Sequence, residues 1–153
     1  LGEFDVTASY TDSNGSTFNS NAITFEAIKM LSWTATSNGT YFFTQDGDTW
    51  KSNNQGKHRT SAKTTWTLKV PEEAGEITYT LSYRVSSESG WDKLNITLDG
   101  TSVVTNTSGA GYLTNKVVTL APGTHTIVAT YSKDSSGNRY EDTGYIVLKD
   151  IFY

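Results

Sequence analysis

Five apolar side chains, Ile77, Tyr79, Leu81, Tyr83 and Val85, alternate with Thr78, Thr80, Ser82 and Arg84. This period of two constrains the fold more than any other feature of the chain. A strand turns successive side chains to opposite faces, so this segment has one apolar and one polar face. A register slip of one residue would expose the whole apolar set. Leu94, Ile96 and Leu98 repeat the pattern, and the two runs are predicted to share one core. The second run ends at Asp99-Gly100, a pair that tolerates the positive φ of a type I′ turn and predicts a hairpin toward Val103. Residues 117–120 predict another strand, which runs into the type II turn signature Ala121-Pro122-Gly123-Thr124. Residues 126–131 and 144–153 complete the second half.

The first half is less regular. Phe4, Val6, Ala8 and Tyr10 alternate, as do Ile23, Phe25 and Ala27, and Trp66, Leu68 and Val70. Trp33, residues 41–43 and residues 48–51 mark further short strands. Asn38-Gly39, Asp46-Gly47 and Gln55-Gly56 punctuate them. Residues 106–111 and 133–142 are polar and predict loops. No segment carries the apolar spacing of a helix. Short strands with frequent turns predict an all-β fold, an antiparallel two-sheet β-sandwich of jelly-roll type, with eight to ten strands in one domain over residues 1–153. The start at Leu1 rather than Met suggests a piece of a longer protein.

Composition narrows the function. The chain has 0 Cys, which excludes a disulfide scaffold, a thiolate metal site and a cysteine nucleophile. Its formal charge is −4, which disfavours nucleic acid as a partner. No apolar run is long enough to insert into a membrane. Thr, Ser and Asn together make 52 of the 153 residues, as turn-rich β proteins require. Four Asn-x-Ser/Thr triplets, at Asn14, Asn38, Asn95 and Asn106, follow from that richness by chance.

In the second half, Tyr83-Arg84-Val85-Ser86-Ser87-Glu88-Ser89-Gly90-Trp91-Asp92-Lys93-Leu94 is followed by Leu98-Asp99-Gly100, then Gly123-Thr124-His125-Thr126, Tyr131-Ser132-Lys133-Asp134 and Asp142-Thr143-Gly144-Tyr145-Ile146. This series resembles a β-sandwich (jelly-roll) module of carbohydrate-binding-module-like or MAM-like type, found in bacterial surface and secreted proteins and in phage structural proteins. The resemblance covers roughly residues 81–153. It implies an extracellular, cell-surface or virion location and a non-catalytic module that binds glycan or polysaccharide. The alternative it implies is a structural or decoration domain of a virion, tail or surface filament that contacts other subunits. Such modules place an acid directly after the last-strand Ile. Here Val147 follows Ile146 and the acid is Asp150, which weakens any calcium role.

Sugar rings present apolar C–H faces on which flat side chains stack, while polar neighbours bond the hydroxyls. Trp91, Tyr112 and Tyr140 stand in predicted loops, with Glu88, Asp92 and Arg139 beside them. These six are the candidate ligand-binding residues. The competing reading is that each ring packs over a sheet edge. Trp66 and Trp50 fit the core better than a platform. Residues 49–70 carry Lys51, Lys57, Arg59, Lys63 and Lys69 and no acid. Such a segment offers a face to an acidic glycan or a nucleic-acid phosphate, but a solvated hairpin is the favoured reading, since charge runs are usually solvated faces. Asp46-Gly47-Asp48, Asp12-x-Asn14, Glu141-Asp142, Glu3 and Asp150 lack calcium-loop spacing, and turn chemistry accounts for most of them. No cofactor or metal is expected. His58 and His125 have no partner at metal spacing, and no nucleophile elbow or phosphate loop occurs, so no enzyme activity is expected.

Overall fold

The structure is a computed structural model that describes residues 3–26 and 28–153. Leu1 and Ala27 lie outside the described residues, as do the side chains of Glu3, Phe4 and Phe25. The chain divides into two compact units, residues 1–30 with 152–153, and residues 31–151.

In the smaller unit, β1 (Glu3–Val6) pairs with β4 (Ile23–Glu26), and β2 (Ser9–Thr11) forms a hairpin with β3 (Thr17–Asn19). Asp12 fixes the hairpin turn, because its Oδ1 accepts from the backbone N–H of Asn14 and of Ser16, both at 2.9 Å. The large apolar side chains of this unit that are described face solvent: Val6, Tyr10, Phe18, Ile23, Ile28, Met30 and Phe152. β5 is Met30–Leu31.

The larger unit holds β6 (Thr34–Thr36), β7 (Phe43–Asp46), β8 (Thr49–Ser52), β9 (Ser61–Val70), β10 (Ile77–Ser86), β11 (Lys93–Leu98), β12 (Thr101–Thr107), β13 (Thr114–Leu120), β14 (Gly123–Ser132) and β15 (Thr143–Val147). β16 is Ile151–Phe152. One antiparallel sheet is ordered β13-β10-β15-β8-β7 and the other β12-β11-β14-β9-β6. With β8 to β15 counted as strands one to eight, the sheets run 1-8-3-6 and 2-7-4-5, the strand order of a jelly roll. Each connection in that series crosses between sheets except the β11–β12 hairpin. There Asp99 and Gly100 have φ of 50° and 79°, the two positive values that the Asp-Gly pair predicts. The β11–β12 ladder shifts register twice, on either side of Ile96.

The core lies between the inner faces. β9, β11 and β14 contribute Trp66, Leu68, Leu94, Ile96, Ile127, Ala129 and Tyr131, and β10, β13 and β15 contribute Tyr79, Leu81, Val85, Leu120 and Ile146. Ile77, Tyr83 and Leu98 pack against this core at its margins, so the two alternating runs do share it. Trp50 is half-buried, with its ring edge-on to Trp66 at 5.2 Å. A Cβ on Gly144 would lie 3.1 Å from both Leu94 Cδ1 and Tyr131 Cδ2, so the two sheets meet closely there. The expected strand over 144–153 is interrupted. The Leu148 N–H still donates to the Asp48 carbonyl at 3.0 Å, the next position in the β15–β8 register, but the strand ends at Val147 and the next one begins only at Ile151.

Candidate functional site

The registers decide where the loops go. Ser86 at the end of β10 pairs with Thr143 at the start of β15, and Lys93 at the start of β11 pairs with Ser132 at the end of β14. Thr107 pairs with Leu94, and Thr114 pairs with Tyr83. The connections 87–92, 108–113 and 133–142 therefore share one end of the sandwich. The connection 53–60 joins them, because Ser61 also pairs with Ser132.

At the centre of this end is a buried ion cluster. The Lys133 Nζ donates to Asp92 Oδ2 at 2.9 Å and to Asp142 Oδ1, and the side chains of Lys133 and Asp92 are both 0% exposed. Asp142 Oδ2 accepts from the Gly56 N–H at 2.7 Å, and Oδ1 accepts from the Tyr131 hydroxyl at 3.3 Å. Asp92 Oδ1 accepts from the Asp134 N–H at 2.9 Å. Burial opposes the charge on Lys133. Its hydrogen bonds to Asp142 and Asp92 outweigh that and raise its pKa above the ordinary lysine range. Asp142 moves the opposite way: burial would raise its pKa, but Lys133 and the Gly56 N–H hold it below the ordinary carboxylate range. The cluster thus fastens three of the four loops with charge-assisted hydrogen bonds.

Ser87 fastens the fourth. Its N–H donates to the Gly109 carbonyl at 3.1 Å, its hydroxyl donates to the Asp92 carbonyl at 3.1 Å, and the same oxygen accepts from the Gly109 N–H at 3.3 Å. The Gly90 N–H donates to Ser108 Oγ at 2.8 Å. Loops 87–92 and 108–113 are thereby held side by side.

The loops carry the candidate residues. Trp91 is 63% exposed, Tyr112 91% and Tyr140 72%. Tyr140 has φ of 58°, a left-handed conformation that is uncommon for a bulky aromatic residue. Arg139 is exposed. Glu88 is half-buried, with its carboxylate filling the space beside Gly137, whose φ is 79°. Asp92 departs from the expectation of a ligand-facing acid. It lies inside, bonded to Lys133, and acts as a positioning residue for the loops.

Lys133 and Ser87, which hold the end together, are absent from the expected set. Lys133 does leave a trace in the sequence. It falls in phase with Ile127, Ala129 and Tyr131, and the same period carries Asp92 into line with Leu94 and Ile96.

Beside the loops, Glu141 accepts a bidentate pair from Arg84 at 2.9 and 3.1 Å and the hydroxyl of Tyr145. Burial, followed by the Glu141 contact, pushes the Tyr145 phenol up to about 12. The acids of the expected Glu141-Asp142 pair are thus engaged by Arg84 and Lys133. Among the described residues no three metal-ligating side chains cluster, and no helix is long and apolar enough to cross a membrane. In comparisons with known proteins, the chain matches no family model and no curated sequence.

Proposed function

We propose that the chain is a non-catalytic recognition module that binds glycan outside the cell, on a cell surface or on a virion, through the loop end of its jelly roll. The reading rests on Trp91, Tyr112 and Tyr140. Three aromatic side chains stand exposed on loops that buried ions and hydrogen bonds hold in place. A chain gains no core energy from exposed rings, and a left-handed Tyr140 costs about 1–3 kcal/mol of backbone strain. Rings on a rigid support are the requirement for stacking on sugar faces, and Arg139 and Glu88 supply polar groups beside them.

Trp91→Ala tests this reading. Loss of one stacking ring is expected to weaken binding by about 1–3 kcal/mol, the scale of aromatic stacking on a flat ligand. The variant should migrate freely through polysaccharide gels that retard the wild type, with an unchanged melting temperature. A wild type that no polysaccharide retards would overturn the reading.

One observation favours the second reading, a structural domain that contacts other subunits. Among the described residues, the smaller unit exposes seven large apolar side chains, from Val6 to Phe152. Exposed apolar surface, where it is contiguous, is a mark of protein-contact sites.

A further inference from the structure

The basic segment 49–70 divides once folded. Lys51 lies 5.6 Å from the Tyr145 ring centre, and Lys57 and Arg59 stand in the loop 53–60. Lys63 and Lys69 point outward from β9, on the opposite side of the strand from Trp66 and Leu68. Across the same outer face run Thr124, Thr126, Val128, Thr130 and Ser132 of β14, and Lys93, Asn95 and Thr97 of β11. Apart from Val128 and Asn95, these outward positions carry lysines and hydroxyls, and none carries a carboxylate, in a chain whose formal charge is −4.

A cavity of about 240 Å³ opens on this face. Its origin is a break in strand pairing. Thr36 pairs with Thr65, and the register would next set Asn38 opposite Lys63. Instead the Lys63 N–H donates to the Tyr41 carbonyl at 3.1 Å, so residues 37–40 bow away from the sheet. The buried hydroxyl of Thr64 pins both ends of the bow, bonding Ser37 Oγ at 2.9 Å and accepting from the Phe43 N–H at 2.9 Å. The floor is Ser61, Lys63 and Thr65, and the wall is Thr36, Asn38, Gly39 and Tyr41. Lys63 is the single charged residue in the lining.

The lining offers hydroxyls, one amide, one aromatic ring and one ammonium. The volume is below the ~300–1,000 Å³ of drug-sized sites, so the occupant is small. We propose that this pocket seats one acidic sugar unit, a hexuronate, with its carboxylate on Lys63 and its ring against Tyr41. The proposal rests on the glycan-binding reading but uses a different face from the loop end. A chain of such units would continue over the lysines of the outer sheet face, where like-signed charge draws in a polyanion.

The test is an NMR titration of the whole chain with hexuronic-acid oligomers, neutral glucose oligomers of equal length, and inorganic sulfate. Hexuronate oligomers should move the amide signals of Gly39 and Lys63, more weakly as salt is added, and neutral oligomers should leave them still. Lys63→Gln removes a charge-assisted contact from an exposed position, so affinity should fall roughly tenfold or more with no change in melting. Tyr41→Ala should weaken it too, and Trp91→Ala should leave it unchanged. Hexuronate that fails to bind, or that binds Lys63→Gln as it binds the wild type, overturns the proposal. Sulfate that competes as well as hexuronate reduces the site to a simple anion site and also overturns it. If hexuronate binding depends on Trp91 and not on Lys63, the pocket fails while the loop platform stands. If neither acidic nor neutral polysaccharide binds the wild type, both readings fail together.

Discussion

At the scale of single residues, His125 is held between two acceptors. Its Nδ1 is 2.7 Å from Asp99 Oδ2 and its Nε2 is 2.7 Å from the Ala121 carbonyl oxygen. Two acceptors call for two N–H donors, which only the protonated ring supplies. Burial pulls its pKa down, but the Ala121 and Asp99 contacts prevail and raise it above 6.5. A raised pKa means that the folded state holds its proton more tightly than the unfolded state. The stabilisation is complete below the ordinary histidine value and disappears as pH climbs through the raised one. His125→Gln is therefore expected to lose more stability at about pH 5.5 than at about pH 9. Urea unfolding at the two pH values decides it, and equal losses would contradict the assignment. Asp99 also accepts from the Thr126 N–H at 2.7 Å, so the Asp-Gly turn that the sequence marks as a hairpin also anchors the start of β14.

At the scale of elements, the strands were legible because period two leaves no other way to bury Leu81 with Val85, or Leu94 with Ile96. The loops were legible as loops, but the ion cluster inside them was not. Asp92 comes from one connection and Lys133 and Asp142 from the two ends of another, and each stands beside other polar residues that read as a solvated surface. Their phase held the clue. Each falls one step beyond a strand on the side that the strand turns inward: Lys133 with Tyr131, Asp92 with Leu94, and Asp142 with Gly144 and Ile146. Charge outweighed phase in the reading of Asp92 as a ligand-facing acid. The pocket beside Lys63 was hidden for a different reason, since it exists only because residues 37–40 leave the β6–β9 register. Lys133→Met would leave two buried carboxylates without a cation, and the expected loss is about 3–5 kcal/mol. Adding Asp92→Asn and Asp142→Asn to the same chain should recover much of it. Urea midpoints measure both, and a loss below about 1 kcal/mol for Lys133→Met would show that the cluster holds little.

At the scale of the whole chain, the two units differ in what they bury. Among the described residues, every buried apolar side chain lies between Phe43 and Ile151, inside the larger unit. A chain that begins at Leu31 is therefore expected to unfold in one cooperative transition, with calorimetric and van't Hoff enthalpies that agree. A broad or absent heat peak would contradict this. The strand orders also bear on how the sheets end. An open sheet edge is a template on which a second chain adds a strand and aggregation starts. β6 has three residues and β7 four, too few to seed a ladder. β12 breaks its register on either side of Ile96, and such irregularity twists an edge out of line. β13 has seven residues, as β12 does, and Lys116 sits within it, where an incoming strand would have to bury or displace a charge. The same irregular pairing that frees residues 37–40 to form a pocket wall also holds the β6 edge to three residues, too short a template for a fibre of copies to grow on.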